Sequence, residues 1–123
     1  MLSEEDVIIV DAKIEDKYLF RLALDTAATH TTIDSNVLYF SGYELKNSTG
    51  ESEVETSNGI IVVEKYLISK LESIGVVKEN FEVQVYDFLA HGIVSEYDGV
   101  IGLNFLKNHK FCIDLLKNEI SID

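Results

Sequence analysis

Apolar and polar residues alternate along most of the chain with a period of two, which is the pattern of half-buried β-strands. Residues 7–14 and 17–24 are two β-rich runs, and the break at Glu15 and Asp16 predicts a hairpin, although these two are not the strongest turn formers. The same criteria predict further strands at 71–74, 81–85, 111–115 and 120–122.

The strongest turn signal is Asn58-Gly59, because both residues tolerate the positive φ of a type I′ turn. Acids at positions 51, 53 and 55 alternate with smaller side chains before this turn, and the β-branched run 60–69 follows it. We therefore predict a hairpin whose tip lies at 57–60. The three acids are expected to form a solvated face of its first strand.

Helical signals are few. Asp34 and Ser35 offer an N-cap for one helical turn at most over 36–40, and residues 103–109 have helical spacing. Many strands without long helices predict an all-β fold with one short C-terminal helix. Since no Pro-rich or Gly-rich linker and no repeat interrupts the chain, we expect a single domain over 1–123.

Charge and cysteine content narrow the possible functions. The net charge of −12 repels phosphate backbones and anionic lipids, so we expect neither a nucleic acid nor a membrane partner. Cys112 is the only cysteine, which excludes an internal disulfide, and its apolar strand pattern predicts a buried structural thiol. The acidic start M-L-S-E-E-D is unlike a secretory signal, so a cytoplasmic protein is expected. The three histidines lack metal-ligand spacing, and we expect no metal and no cofactor.

The stretch L-A-L-D-T-A-A-T-H-T-T-I, residues 22–33, breaks the alternating pattern. An apolar strand ends in a single acid, Asp25, and small or hydroxylated residues follow it. A carboxylate in a dry and rigid setting suits acid or base chemistry. One carboxylate does little hydrolysis alone, and no other part of the chain repeats this pattern, so a second acid must come from another chain. The alternative is a strand-end acid that caps its own turn.

Three segments, in this order, resemble the retropepsin-like aspartic proteases, the single-domain kind found in retroviral polyproteins and related bacterial proteins. They are L-A-L-D-T-A-A-T-H-T-T-I, the Asn58-Gly59 hairpin, and D-G-V-I-G-L-N-F-L at 98–106. With F-C-I-D-L-L-K-N-E-I-S-I at 111–122 they span nearly the whole chain. The resemblance implies a small closed β-barrel. It also implies a symmetric homodimer that acts on peptide or protein substrates.

The resemblance assigns roles to individual residues. It implies that Asp25 is the catalytic acid and that Thr26 hydrogen-bonds across the dimer. Ala27 and Ala28 would line the path of the substrate backbone. The flap tip, which would close over a peptide, is assigned to Ser57, Asn58, Gly59 and Ile60. Val100 matches a pocket-lining position, and Ile101 and Gly102 would pack behind the catalytic loop.

Two positions depart from the family pattern. Ala27 stands where the family has Gly, and Leu103 stands where retroviral members have an Arg that forms an ion pair. Our leading hypothesis is a homodimeric aspartic endopeptidase that activates water between two Asp25 carboxylates, one per subunit. The alternatives are a catalytically silent dimer that binds extended peptides or regulates by dimerising, and an acidic structural module without a site.

Overall fold

The computed structural model describes residues 7–44, 48–56, 59–87 and 96–122. Within these ranges the chain forms strands and two short helices. The strands are β1 (Ile9–Ile14), β2 (Tyr18–Leu24), β3 (Thr32–Asp34), β4 (Gly50–Thr56), β5 (Gly59–Ser73), β6 (Val76–Tyr86), β7 (Gly99–Ile101), β8 (Phe111–Asp114) and β9 (Glu119–Ile122), and the helices are α1 (Ser35–Phe40) and α2 (Leu103–Leu106).

Six of the strands close into a barrel. The sheet order is β1-β2-β7-β3-β6-β5-β4, and an additional pairing of β1 with β5 joins the two sides. The apolar face of each strand points inward, where Leu22, Ile33, Ile68, Leu71 and Ile101 are fully buried. The predicted closed all-β barrel is therefore confirmed. None of the helices in the described ranges is long and apolar enough to cross a membrane.

The turn between β1 and β2 lies where the sequence predicts it. Glu15 and Asp16 have φ of 58° and 61°, as a type I′ turn requires. The position is held by side-chain contacts: Glu15 Oε1 accepts hydrogen bonds from the Tyr43 hydroxyl at 2.9 Å and from the Lys70 N–H at 3.1 Å. These contacts offset the cost of positive φ in two residues that are not glycine.

Strand β4 lies outside the barrel. Its only neighbour in the described sheet is β5, so its other edge carries unpaired backbone groups. In the register of β4 and β5, Glu53 pairs with Val62 and Glu55 pairs with Ile60. Glu53 and Glu55 share one face of β4, and Val54 points to the other face. Glu51, Glu53 and Glu55 are exposed, which confirms the predicted solvated strand face.

Several sequence predictions need correction. Residues 35–40 form a full short helix, because the Asp34 carboxylate accepts from the Asn36 N–H and Leu38 is buried against the core. The C-terminal helix ends at Leu106 rather than at 109, since Lys107 is extended and Asn108 has a φ of 69°. The run 60–69 and residues 71–73 are parts of one long strand, β5, and Ile74 lies in the turn that follows it.

Cys112 is exposed rather than buried. Among the described residues strand β8 pairs with β9 alone, in a separate two-stranded sheet. Phe111 and Ile120 of this sheet pack against the core, and Cys112 does not. The apolar alternation of 111–115 correctly predicts a strand, but it does not reveal which face is covered. Leu115 and Leu116 in the following turn are likewise 77% and 99% exposed.

Candidate active site

Asp25 lies directly after β2, in the part of the sheet where β2, β7 and β3 are neighbours. Strand β2 runs parallel to β7, with Leu24 beside Ile101, and β7 runs antiparallel to β3. The Asp25 N–H donates to the Ile101 carbonyl at 3.1 Å, which continues the pairing of β2 with β7 by one residue. The carboxylate is therefore held by backbone hydrogen bonds at the end of a buried strand.

The loop after Asp25 is a tight turn stabilised by its own carboxylate. The Asp25 Oδ1 accepts from the Ala27 N–H at 3.0 Å, and the Asp25 carbonyl accepts from the Ala28 N–H at 3.1 Å. The self-capping that we considered as an alternative does occur. It uses Oδ1 and is compatible with a chemical role for the same side chain. Asp25 is half-buried in the single chain, so the dry setting expected from the sequence is only partly provided.

Ala27 fits this loop without backbone strain. It is not among the positive-φ residues of the described chain, so its methyl group does not force the turn into an unfavourable conformation. Ala27 is exposed and Ala28 half-buried, and both line the same cleft as Asp25. Thr26 is exposed on the loop.

A buried polar brace holds the far end of the loop. Thr31 is fully buried, and Asn104 Oδ1 accepts from both its N–H and its hydroxyl, at 2.8 and 2.9 Å. The Thr31 Oγ1 in turn accepts from the Gly102 N–H at 3.1 Å. The Asn104 Nδ2 donates to the Glu82 carbonyl at 3.1 Å, which ties the brace to β6. The sequence analysis did not identify Thr31 or Asn104, although an amide inside the apolar run G-L-N-F-L is a signal for a buried hydrogen bond.

Gly102 packs against the loop backbone. A Cβ at this position would lie 2.5 Å from both the carbonyl carbon and oxygen of His30 and 3.0 Å from the Ala28 oxygen. The next residue, Leu103, donates its N–H to the Ala28 carbonyl at 2.8 Å. Gly102 is therefore required for close approach and not for turn formation.

A cleft of about 540 Å³ opens above Asp25. Its floor comes from the loop after β2 and from Val100, and its opposite wall is the edge strand β4. The lining residues of the described chain are Asp25, Ala27, Ala28, Thr29, His30, Thr32, Ser52, Glu53, Val54, Glu55, Gln84 and Val100. The cleft is large enough for several residues of an extended peptide.

The predicted flap residues are only partly described. Ser57 and Asn58 lie outside the described residues. Gly59 begins β5 with a φ of 114°, and the Ile60 side chain is 68% exposed. The hairpin itself is present, since β4 and β5 pair in register from Gly50 and Lys65 to Thr56 and Gly59.

Among the described residues, no group of three His, Cys, Asp or Glu side chains is arranged to hold a metal ion. Arg21 lies outside the cleft, where its guanidinium donates to the Glu96 carbonyl at 2.9 Å. Its backbone N–H donates to the Asp98 carboxylate at 3.0 Å. Arg21 thus supports the segment that leads into β7.

Comparison with known proteins agrees with this geometry. The family model of gag-polyprotein putative aspartyl proteases matches residues 10–108, and the chain belongs to this family. The chain also resembles the crystal structure of a retropepsin-like aspartic protease from Rickettsia conorii. The two share 18% sequence identity with a TM-score of 0.70, over 98% of this chain and 92% of that one. At this identity the likeness shows a common fold. No curated protein matches the sequence.

Proposed function

We propose that this protein is a homodimeric aspartic endopeptidase in which the Asp25 carboxylates of two subunits form one catalytic pair. The observation that carries the proposal is the position of Asp25, fixed by the Ile101 carbonyl at the floor of an open cleft. Family membership supports the same chemistry. The single chain supplies one carboxylate at this place, and the proposed mechanism needs two.

The shape of the cleft favours a peptide as substrate. The free edge of β4 runs along one wall, and an extended peptide can pair with such an edge through main-chain hydrogen bonds. The side chains of the peptide would then alternate between the cleft floor and solvent. This mode of binding places a backbone carbonyl of the peptide above Asp25.

The C-terminal strands support dimerisation. In the two-stranded sheet of β8 and β9, Ile113 is 46% exposed and Ile122 is 39% exposed, in addition to the exposed leucines of its turn. A second copy of the chain could pair with this sheet and cover these side chains. We propose a symmetric contact of this kind in a dimer whose two-fold axis runs between the two Asp25 loops.

The chemistry of such a pair follows from electrostatics. Two carboxylates about 3 Å apart, at an effective dielectric constant near 20, repel each other by roughly 5 kcal/mol. The pair would therefore share one proton at neutral pH and titrate as a unit. The ionised member takes a proton from water while the protonated member polarises the peptide carbonyl, so hydrolysis proceeds by general acid-base catalysis without a covalent intermediate.

The test is peptide cleavage by the wild-type protein and by Asp25→Asn. A diverse peptide mixture is incubated from about pH 4 to 7 and analysed by mass spectrometry. We expect cuts with the wild type and none with Asp25→Asn. Asp11→Asn, which changes an exposed carboxylate on β1, is the matched control and should cut like the wild type. Equal cutting by Asp25→Asn, or a protein that sediments as a monomer at high micromolar concentration, would refute the proposal.

A second candidate is a catalytically silent dimer that binds extended peptides on β4. The observation that favours this candidate is that the single chain offers one half-buried Asp25 beside the free edge of β4. The presence of Ala27 gives it little support, because this residue is accommodated without strain. It predicts a folded dimer that binds peptides equally with and without Asp25→Asn and cuts none at any pH.

A further inference from the structure

Gln84 is a buried amide that faces the cleft. The residue is 6% exposed and lies in β6 between Val83 and Val85, which point into the core and are 0% and 5% exposed. Because strand side chains alternate, the Gln84 side chain lies on the other face, and it lines the cleft. Its backbone N–H donates to the Thr31 carbonyl at 2.9 Å.

The carboxamide of Gln84 has no hydrogen-bond partner among the described residues. No buried side-chain nitrogen or oxygen of the described chain is sealed off without a partner, so the amide end must open to the cleft. Solvent reaches the amide through the cleft, so a molecule that binds there and excludes this solvent has to supply hydrogen-bond partners for it.

Two further polar side chains line the same cleft. Thr32 is the register partner of Gln84 across the parallel pair of β3 and β6, so both side chains point to the same face. His30 also lines the cleft, and its Nδ1 lies 2.9 Å from the Thr29 hydroxyl, which fixes the ring and leaves Nε2 for another contact. We call His30, Thr32 and Gln84 the polar corner.

The charges around the polar corner oppose an anionic ligand. The ionisable residues of the cleft lining are Asp25, Glu53, Glu55 and His30, which are three carboxylates against one imidazole. The net charge of the chain is −12. Lys65 pairs with Gln84 across β5 and β6, but its side chain runs past Gly50 and is not part of the lining. These charges disfavour an anionic side chain, and a neutral side chain with both a donor and an acceptor matches the two ends of the Gln84 amide.

We propose that the polar corner is a subsite for a carboxamide side chain, Asn or Gln, of the peptide bound in the cleft. This inference rests on the proposed function. An amide in the peptide donates to Gln84 Oε1 and accepts from its Nε2, which satisfies both ends of the buried group. An apolar side chain would leave them unpaired, and a site built to bond a polar group rejects the analogue that lacks it.

The test starts from peptides that the wild-type protein cuts. Each position flanking the cut is varied among Gln, Glu and Met, which are close in size, and relative kcat/KM values are measured in competition by mass spectrometry. At one position we expect the Gln peptide to be preferred over both others by about tenfold. The variant Gln84→Met keeps the length of the side chain and should abolish this preference while still cutting the Met peptide. The matched control Glu79→Gln adds an amide to the exposed part of β6 and should leave the preference unchanged.

Failure of the subsite is separable from failure of the proposed protease. Three results would overturn the subsite and leave the protease intact. Peptides are cut but no position prefers Gln, a position prefers Glu instead, or the Gln preference survives Gln84→Met. If nothing is cut, fluorescein-labelled extended peptides that differ only by Gln, Glu or Met at one position are bound to Asp25→Asn and followed by anisotropy. Selective binding of the Gln peptide, lost in Gln84→Met, would support the subsite without the protease. Equal binding or no binding would overturn it.

Discussion

Asn104 Oδ1 accepts hydrogen bonds from both the N–H and the hydroxyl of Thr31, and no water is needed to satisfy either buried group. This pair joins α2 to the end of the Asp25 loop across 73 residues of sequence. The loop is therefore positioned by a helix that follows β7 as well as by the strands on either side of it.

Removal of the Asn104 amide should destabilise the protein and weaken activity. Asn104→Ala leaves the Thr31 N–H without its partner in a buried position, at a cost of about 1–3 kcal/mol in the free energy of unfolding. Urea unfolding measures this change. Asn104→Asp keeps the acceptor for Thr31 but turns a carboxylate oxygen, in place of the amide donor, towards the Glu82 carbonyl, so it should also be destabilising. No measurable loss in Asn104→Ala would indicate that the Thr31 bonds contribute nothing.

Gly102→Ala should be among the most damaging small substitutions in the chain. The added methyl would meet the His30 backbone at 2.5 Å, which a loop held by hydrogen bonds can relieve only by moving. We expect a loss of roughly 1–3 kcal/mol, the range for overpacking, and a fall in kcat if peptides are cut. Gly42→Ala is the control, because its Cβ meets no atom within 4 Å and it tests only the cost of a φ of 91°. A smaller effect at Gly102 than at Gly42 would contradict the close-packing account.

Glu15 should matter more than its neighbour Asp16. Glu15 Oε1 accepts two hydrogen bonds, from Tyr43 and from the Lys70 N–H, whereas Asp16 forms an exposed ion pair with Lys70 at 2.8 Å. Exposed ion pairs contribute about 0–1 kcal/mol. Glu15→Ala should therefore lower the free energy of unfolding by more than Asp16→Ala does, as measured by urea or thermal unfolding. The reverse order would show that the hydrogen bonds of Glu15 with Tyr43 and Lys70 do not stabilise the folded state.

Stability should fall at alkaline pH through Tyr66. Burial and then the hydrogen bond to Glu64 raise the pKa of Tyr66 to about 12. A phenol whose pKa is higher in the folded state than in the unfolded state stabilises the protein fully below the unfolded pKa near 10. This contribution is lost as pH rises from about 10 through 12, because only the unfolded state releases the proton easily.

Tyr66→Phe should flatten this alkaline decline, measured as the difference in the free energy of unfolding between neutral and alkaline pH. The decline should shrink by an amount on the order of 1–2 kcal/mol. Burial also raises the pKa of Tyr43, so a smaller decline in the same direction remains. Tyr39→Phe, at a side chain that is 66% exposed, is the control and should decline like the wild type. An unchanged slope in Tyr66→Phe would contradict the assignment.

Local pattern predicted the strands and the motif residues, but it could not predict contacts made across the barrel. The hairpin at Glu15 follows from short-range signals, and the segment around Asp25 from its unusual composition. The exposure of Cys112 and the length of β5 depend on which faces other strands cover. A period-two pattern is the same for a covered and an uncovered face.

The residues of the site that were missed share one property. Thr31, Asn104 and Gln84 are ordinary polar residues whose partners or surroundings are distant in sequence. Gln84 alternates with apolar residues in the strand 81–85, which indicates only that one strand face differs from the other. Its role as a buried amide at the cleft emerges once β3 and β6 are paired.

The most direct test of the shared catalytic pair is a subunit-mixing experiment. Wild-type protein is mixed with Asp25→Asn in increasing ratio, the subunits are allowed to exchange, and peptide cleavage is measured per wild-type chain. Because a symmetric dimer with one site needs Asp25 from both subunits, an equal mixture should retain about half of the activity per wild-type chain, and excess variant should abolish it. Activity per wild-type chain that stays constant or rises as the variant is added would show that one Asp25 is sufficient, which contradicts the account.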